Sequence, residues 1–154
     1  MLVDFNTTDE QSRIWIYAAE QKLTNKQENY ILESISDHLN NWEAHKMPLT
    51  AGVTILESHF IVVVLDDSKN GASGCSIDTL QNRIQEIEKE LSVSLLNRLN
   101  IFCKIDDTIK CIPTTKLAGN ANQETLFYDL TIQKKSELAN WLKSIKEGWC
   151  SSFL

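Results

Sequence analysis

The chain has 154 residues, of which 42% are hydrophobic and 23% charged, and its formal net charge is −6. These proportions are those of a globular protein and exclude an intrinsically disordered chain. They predict a single domain over residues 1–154, with enough apolar surface to form a core without disulfide bonds. The negative charge repels phosphate backbones and anionic headgroups, so we expect neither nucleic acid nor a membrane as a partner.

The sequence predicts a location inside the cell. The N-terminus lacks the positive region and apolar stretch of a signal peptide. The longest apolar run, residues 60–65, is far shorter than the roughly 20 residues that cross a bilayer. We therefore predict a cytoplasmic protein whose cysteines are reduced thiols, namely Cys75, Cys103, Cys111 and Cys150.

The beginning of the chain predicts a strand followed by a long helix. Residues 1–11 are polar and aperiodic and are expected to be loosely ordered, whereas residues 14–17 are β-branched or aromatic and favour a strand. Thr24 and Gln27 have the spacing of a capping box, which predicts a helix of about 20 residues that ends near Pro48. Its apolar face is predicted to contain Ile31, Ile35, Leu39 and Trp42.

The middle of the chain predicts two strands and a second helix. Residues 52–56 and 60–66 have strand composition, and the second run is apolar without alternation, as in a central strand covered on both faces. Beyond a polar loop, apolar residues recur at helical spacing. They are Ile77, Leu80, Ile84, Ile87 and Leu91.

The last third predicts a hairpin, one more strand and a final helix. Residues 101–105 and 109–111 alternate around a turn and are expected to place their apolar residues on one face, so that their two cysteines face each other. Residues 126–132 favour a strand, and residues 138–148 a helix that ends at a glycine. Its solvated face is expected to include Lys134, Lys135, Lys143 and Lys146.

These elements predict an α+β fold with a mainly antiparallel sheet and about three helices. The opening order β-α-β-β-α-β is that of a ferredoxin-like core, to which extra strands and a C-terminal helix would be added. Element order leaves the strand pairing open.

Residues 66–78 join the predicted central strand to the second helix, and they are the best candidate for a functional site. The first turn of a helix has unpaired N–H groups that attract negative charge, and glycines let a backbone turn tightly near a ligand. Ser73 or Ser76 as a cap and Asp78 in the first turn equally fit a purely structural helix start. The ligand-binding candidates are Asp66, Ser73, Gly74, Cys75, Ser76, Asp78 and Arg98.

Cys75 is the candidate nucleophile, because a helix N-terminus favours the thiolate form of a cysteine. The neighbouring aspartates oppose a second negative charge, and no base lies nearby in sequence. His59 would lie at the far end of the strand, while His38 and His45 would serve only if the first helix packs towards the loop. The sequence thus leaves enzyme activity open and favours a binding protein.

Metal and nucleotide sites are disfavoured. Cys103 and Cys111 lack the spacing of a zinc site, and acidic pairs such as Asp66 and Asp67 more often form a solvated turn than a magnesium site. No glycine is followed by the lysine and hydroxyl residue of a phosphate-binding P-loop. We therefore expect no cofactor and no metal.

Four strings of the sequence resemble a small bacterial family whose members are often labelled "ABC transporter ATPase". They are residues 13–17 (Arg-Ile-Trp-Ile-Tyr), 73–78 (Ser-Gly-Cys-Ser-Ile-Asp), 97–99 (Asn-Arg-Leu) and Trp149. The resemblance implies a stand-alone bacterial protein and draws attention to Cys75, Asp78 and Arg98. The label implies ATP hydrolysis, which the missing P-loop argues against.

The sequence therefore predicts a small cytoplasmic ligand-binding or regulatory domain that uses residues 66–78. The alternatives are a thiol-dependent enzyme or redox-sensitive protein with Cys75 as nucleophile, and a protein–protein interaction module. The expected partner is an unidentified small ligand or a protein.

Overall fold

The computed structural model describes residues 1–154, and the chain forms two compact units. The first unit contains Met1–Leu96 and Gln133–Ser136, and the second contains Asn97–Ile132 and Glu137–Leu154. The prediction that the chain is one domain stays a prediction. No helix is both long and apolar enough to cross a membrane.

The first unit is built on a three-stranded antiparallel sheet. Its elements are β1 (Arg13–Ala18), α1 (Asn25–Asn40), β2 (Glu43–Ala44), β3 (Met47–Pro48), β4 (Thr50–Leu56), β5 (Phe60–Asp66) and α2 (Gly74–Leu91). The sheet has the order β1-β5-β4. Residues 60–65 of β5 are fully buried, so this strand is the central one that its unbroken apolar run predicted.

Both helices begin where their capping signals place them. Thr24 and Gln27 form a reciprocal capping box at the start of α1, and Ser73 and Ser76 form another at the start of α2. The apolar faces of α1 and α2 pack in one core with the sheet. Its helical members include Ile31, Ile35, Leu39, Leu80, Ile84 and Ile87.

The first helix is shorter than predicted, because it ends at Asn40 and not near Pro48. The next residues form the hairpin β2–β3, whose two turn residues have positive φ angles, 52° at His45 and 65° at Lys46. A helix cannot pass through such angles. Trp42 is buried beyond the helix end, and its indole N–H donates a hydrogen bond of 2.8 Å to the Ser76 carbonyl.

The polar start of the chain has defined contacts that its composition did not indicate. Phe5 is buried within a short 3₁₀ turn, and the Val3 amide donates to the Ala51 carbonyl of β4 at 2.8 Å. Lys135, from the short C-terminal segment of the first unit, is also buried and bonds to the carbonyls of Phe5 and Thr8. The prediction of a solvated Lys135 is therefore wrong.

The second unit contains a four-stranded antiparallel sheet of order β7-β6-β8-β9. Its strands are β6 (Asn100–Ile105), β7 (Thr108–Pro113), β8 (Leu126–Tyr128) and β9 (Leu142–Ser144). A separate apolar cluster, which includes Ile101, Cys103, Phe127 and Ile145, forms the core of this unit.

The β6–β7 hairpin exists, but its register differs from the prediction by one residue. The turn has two residues, Asp106 and Asp107, and Cys103 pairs with Lys110 while Cys111 pairs with Phe102. Because neighbouring residues of a strand point to opposite faces, the two cysteines do not face each other. The predicted common apolar face of the two strands is therefore wrong.

The predicted C-terminal helix is also wrong. The chain there forms 3₁₀ segments at Lys135–Asn140, Ile145–Glu147 and Trp149–Phe153, and between the first two it forms β9. Residues 142–144 pair with β8, so their backbone groups bond across the sheet and not along a helix. The strand predicted at 126–132 is correspondingly limited to β8.

The α+β class with antiparallel sheets is confirmed. The order β1-β5-β4 also follows the split β-α-β arrangement of a ferredoxin-like core. The strand after α2, which would complete such a core, instead belongs to the sheet of the second unit. The ferredoxin-like topology therefore extends only through α2.

A partly buried ion pair stabilises the second unit. Lys143 Nζ lies 2.7 Å from Asp129 Oδ2, and the carboxylate also accepts hydrogen bonds from Thr131. Burial by itself would raise the pKa of Asp129, but the hydrogen bonds from Lys143 and Thr131 and the Lys143 charge outweigh it and hold the pKa below its ordinary value. The pair therefore stabilises the fold above the unfolded-chain pKa of about 3.9 and loses this effect as pH falls through the lower folded pKa.

We expect Asp129→Asn to reduce the loss of stability on acidification. The free energy of unfolding, measured by urea denaturation between pH 7 and about pH 3, should fall less in this variant than in the unchanged protein. Asp106→Asn, at the exposed β6–β7 turn, is the matched control and should keep the full dependence. Equal pH dependence in Asp129→Asn and the unchanged protein would contradict the assigned role.

Candidate functional site

Residues 66–78 connect β5 to α2, as predicted. The segment begins with a polar turn, residues 66–68, that is held by side-chain hydrogen bonds. Asp66 Oδ1 accepts hydrogen bonds from the Ser68 hydroxyl at 2.7 Å and the Ser68 amide at 3.1 Å. These two bonds hold the pKa of the Asp66 carboxyl below its usual range. The Oδ1 oxygen of Asp66 is therefore already hydrogen-bonded within its own turn.

The second part of the segment presents open backbone donors. At the start of α2, the Ser76 amide donates to Ser73 Oγ at 3.1 Å and the Ser73 amide donates to Ser76 Oγ at 2.7 Å. The amides of Gly74 and Cys75, in the first turn, form no hydrogen bond within the chain. Two N–H groups at the positive end of the helix dipole are therefore open to a ligand.

The glycines of this segment do not have the role that the sequence suggested. No glycine in the chain has a positive φ angle, so neither Gly71 nor Gly74 is needed to turn the backbone. A Cβ added to either would meet no atom within 4 Å. The space beside the backbone at Gly74 is therefore open to solvent.

A pocket of about 730 Å³ lies between the start of α2 and the β2–β3 hairpin, and we call it the hairpin pocket. The helix side contributes Ser73, Gly74, Cys75, Ser76 and Thr79. The hairpin side contributes Glu43, Ala44, His45 and Lys46. Cys75 and both turn residues of the hairpin are exposed.

The structure brings His45 to the same pocket as Cys75, which the sequence did not predict. His45 reaches this place on the hairpin turn and not on α1. His38 remains on α1 beside Trp42, and burial together with the Arg83 charge lowers its pKa. His59 lies in the β4–β5 turn outside the pocket lining.

No known protein family, curated protein or solved structure matches the chain. The family resemblance described above therefore stays a prediction.

Three predicted ligand-binding residues do not line the hairpin pocket. Asp66 and Asp78 belong to the same segment but are not among the lining residues, so the pocket contains fewer negative charges than the sequence suggested. Arg98 belongs to the second unit. No group of three or more histidine, cysteine or acidic side chains is arranged to hold a metal ion.

The thiols of the second unit differ from Cys75 in exposure. Cys103 and Cys150 are buried, whereas Cys75 is exposed. Burial, with smaller contributions from Cys150 and Cys111, raises the pKa of the Cys103 thiol to about 11. Burial also raises the pKa of Cys150. These two thiols are therefore protonated near neutral pH and unsuited to nucleophilic attack.

Proposed function

We propose that the protein binds a small anionic ligand in the hairpin pocket. The observation that supports this function is the placement of Lys46 and His45 on the same pocket as the unbonded amides of Gly74 and Cys75. Backbone N–H groups, a helix dipole and an ammonium group all favour negative charge. A phosphate or carboxylate is the ligand group that this set of donors suits.

The pocket also has groups for the uncharged part of a ligand. The hydroxyls of Ser73 and Thr79 are occupied in part by hydrogen bonds at the helix start, and the Ala44 methyl group adds an apolar surface. Glu43 is the single acidic residue of the lining and suits a ligand hydroxyl or amine. A small ligand with one anionic group and one donor group fits this arrangement.

Lys46→Gln should weaken anion binding about fivefold, because the ammonium contributes on the order of 1 kcal/mol to an anion at a partly open site. The affinity can be measured by the protection that inorganic phosphate gives Cys75 against iodoacetamide, with each thiol quantified by peptide mass spectrometry. Lys69→Gln is the matched control, because Lys69 lies in the same segment but does not line the pocket.

Two results would count against this function. One is alkylation of Cys75 in the unchanged protein at the same rate with and without phosphate at millimolar concentration. Equal weakening by Lys46→Gln and Lys69→Gln would show a general charge effect and no site.

The second candidate function is thiol chemistry at Cys75, favoured by His45 in the same pocket. In this mechanism the imidazole of His45 accepts the thiol proton and the Cys75 sulfur attacks an electrophilic carbon of the ligand. The bond from that carbon to its leaving group breaks, and the leaving group takes the proton back from His45. Near neutral pH, Cys75 should then react with iodoacetamide faster than a free cysteine peptide, and His45→Gln should remove the difference. Reaction at the rate of the peptide would exclude this mechanism.

We further propose that the protein acts in the cytoplasm without nucleic acid or a membrane surface as its partner. The net charge of −6 supports this choice, because long-range attraction to either polyanion has the wrong sign. An interaction with another protein is the third candidate function, and a stable complex formed through the hairpin pocket would favour it over a small ligand.

A further inference from the structure

A second pocket, of about 570 Å³, is lined only by residues of the second unit. We call it the β7 pocket, because most of its lining lies on or beside β7. Its volume falls in the range of roughly 300–1,000 Å³ that is typical of small-molecule sites. Three of its lining residues, Ile105, Ile112 and Pro113, are apolar.

The charges around the β7 pocket all have one sign. Lys110 and Lys116 line it, and no aspartate or glutamate does. Neither lysine belongs to any of the ion pairs of the structure. Two unneutralised ammonium groups on one pocket are notable in a chain with a net charge of −6.

The backbone explains why the charged and apolar groups meet. Lys110 and Ile112 are two residues apart on β7, so their side chains point to the same face of the sheet. On that face they pair with Cys103 and Ile101, which belong to the buried core of the unit. The pocket is therefore an open extension of the core beneath a charged rim.

The rest of the lining comes from the segment that follows β7. Lys116 ends a 3₁₀ segment that begins directly after β7. The Asn120 side-chain amide donates to the Lys116 carbonyl at 2.8 Å. The two lysines thus come from a strand and from the turn that follows it.

We propose that the β7 pocket binds a small amphipathic anion, with its carboxylate beside Lys110 and Lys116 and its short apolar chain against Ile105 and Ile112. Charge complementarity selects the anionic group, and the apolar residues of the lining select the chain. This site is separate from the hairpin pocket, and its test does not depend on the function proposed there.

Decanoate is a suitable probe, because it combines one carboxylate with an apolar chain, and isothermal titration calorimetry measures its binding directly. It should bind with one-to-one stoichiometry. Decanamide, which has the same chain without the charge, should bind far more weakly, because it has no charge to interact with the two lysines.

Charge variants test the site itself. Lys110→Gln with Lys116→Gln should weaken decanoate binding until it is no stronger than the binding of decanamide. Lys104→Gln is the matched control, because Lys104 is exposed on the neighbouring strand, points to the other face of the sheet and does not line the pocket. This control should bind decanoate as the unchanged protein does, and circular dichroism should show that all variants are folded.

Three outcomes would overturn the proposal. One is no binding of decanoate to the unchanged protein. Another is equally strong binding of decanoate and decanamide, which would leave the lysines without a role. The third is binding of polyglutamate and not of decanoate, which would assign the surface to an acidic protein segment.

Discussion

Gly148→Ala is expected to lower the free energy of unfolding by about 3 kcal/mol. A Cβ on Gly148 would overlap Cζ and Cε1 of the Phe127 ring and lie 3.2 Å from its Cε2. The ring is 1% exposed and belongs to the core of the second unit, so moving it would displace the residues packed around it. Urea denaturation followed by tryptophan fluorescence measures the effect.

The backbone angles of Gly148 ensure that this experiment measures side-chain packing and not backbone strain. Its φ of −109° and ψ of 170° are angles that any residue adopts, so alanine adds no backbone strain. Gly119→Ala is the matched control, because a Cβ there would meet no atom within 4 Å. Its stability should be unchanged or slightly raised, since alanine restricts the unfolded chain.

A second substitution tests the assigned contact. Phe127→Leu shortens the side chain that the new methyl group would meet, so combining it with Gly148→Ala should cost less than the sum of the two single effects. Additive effects would show that Gly148 is required for another reason.

The sequence predicted the elements whose signals are local. The Thr24–Gln27 capping box and the apolar spacing from Leu80 to Ile87 depend on residues within a few turns of each other, and both helices begin as expected. The unbroken apolar run of β5 likewise indicated its central position. Such signals do not depend on the packing of distant residues.

Two of the failed predictions concern tight turns that lack glycine. Three pairs of consecutive non-glycine residues have positive φ angles, at 45–46, 57–58 and 106–107. Tight hairpin turns usually use glycine or asparagine at such positions. The His45–Lys46 turn was therefore assigned to a helix, and the length of the Asp106–Asp107 turn was overestimated by one residue, which placed Cys111 on the wrong face.

The sequence predicted only the helix side of the hairpin pocket, because the other side is formed by one of these turns. The open helix start at residues 73–76 follows from its serine caps, whereas His45 and Lys46 reach it only through the hairpin that the sequence did not reveal. Nor could the sequence distinguish adjacent Lys134 and Lys135, of which the first is exposed and the second buried. Tertiary packing alone decides such differences.

Lys135→Met is expected to lower the free energy of unfolding of the first unit by about 3 kcal/mol. The Lys135 ammonium donates to the Phe5 carbonyl at 2.9 Å and to the Thr8 carbonyl at 2.8 Å, and its side chain is 9% exposed. Methionine keeps the length of the side chain but removes the donor. Each carbonyl that loses its partner away from water costs about 1–3 kcal/mol.

The same substitution should loosen the start of the chain selectively. Lys135 connects the short C-terminal segment of the first unit to residues 5–8, and it also lies 5.0 Å from the centre of the Phe5 ring. Limited proteolysis of Lys135→Met should therefore cut within residues 1–11 before any other site, because local opening precedes global unfolding there. Urea denaturation gives the accompanying loss of stability.

Lys134→Met is the matched control for this prediction. Lys134 is exposed, and its ammonium lies 3.4 Å from the side-chain oxygen of Gln11. An exposed hydrogen bond of this length contributes little, so the control should retain its stability within about 0.5 kcal/mol. If both variants lost the same stability, or if Lys135→Met resisted proteolysis within residues 1–11, the buried ammonium would not be what holds this segment in place.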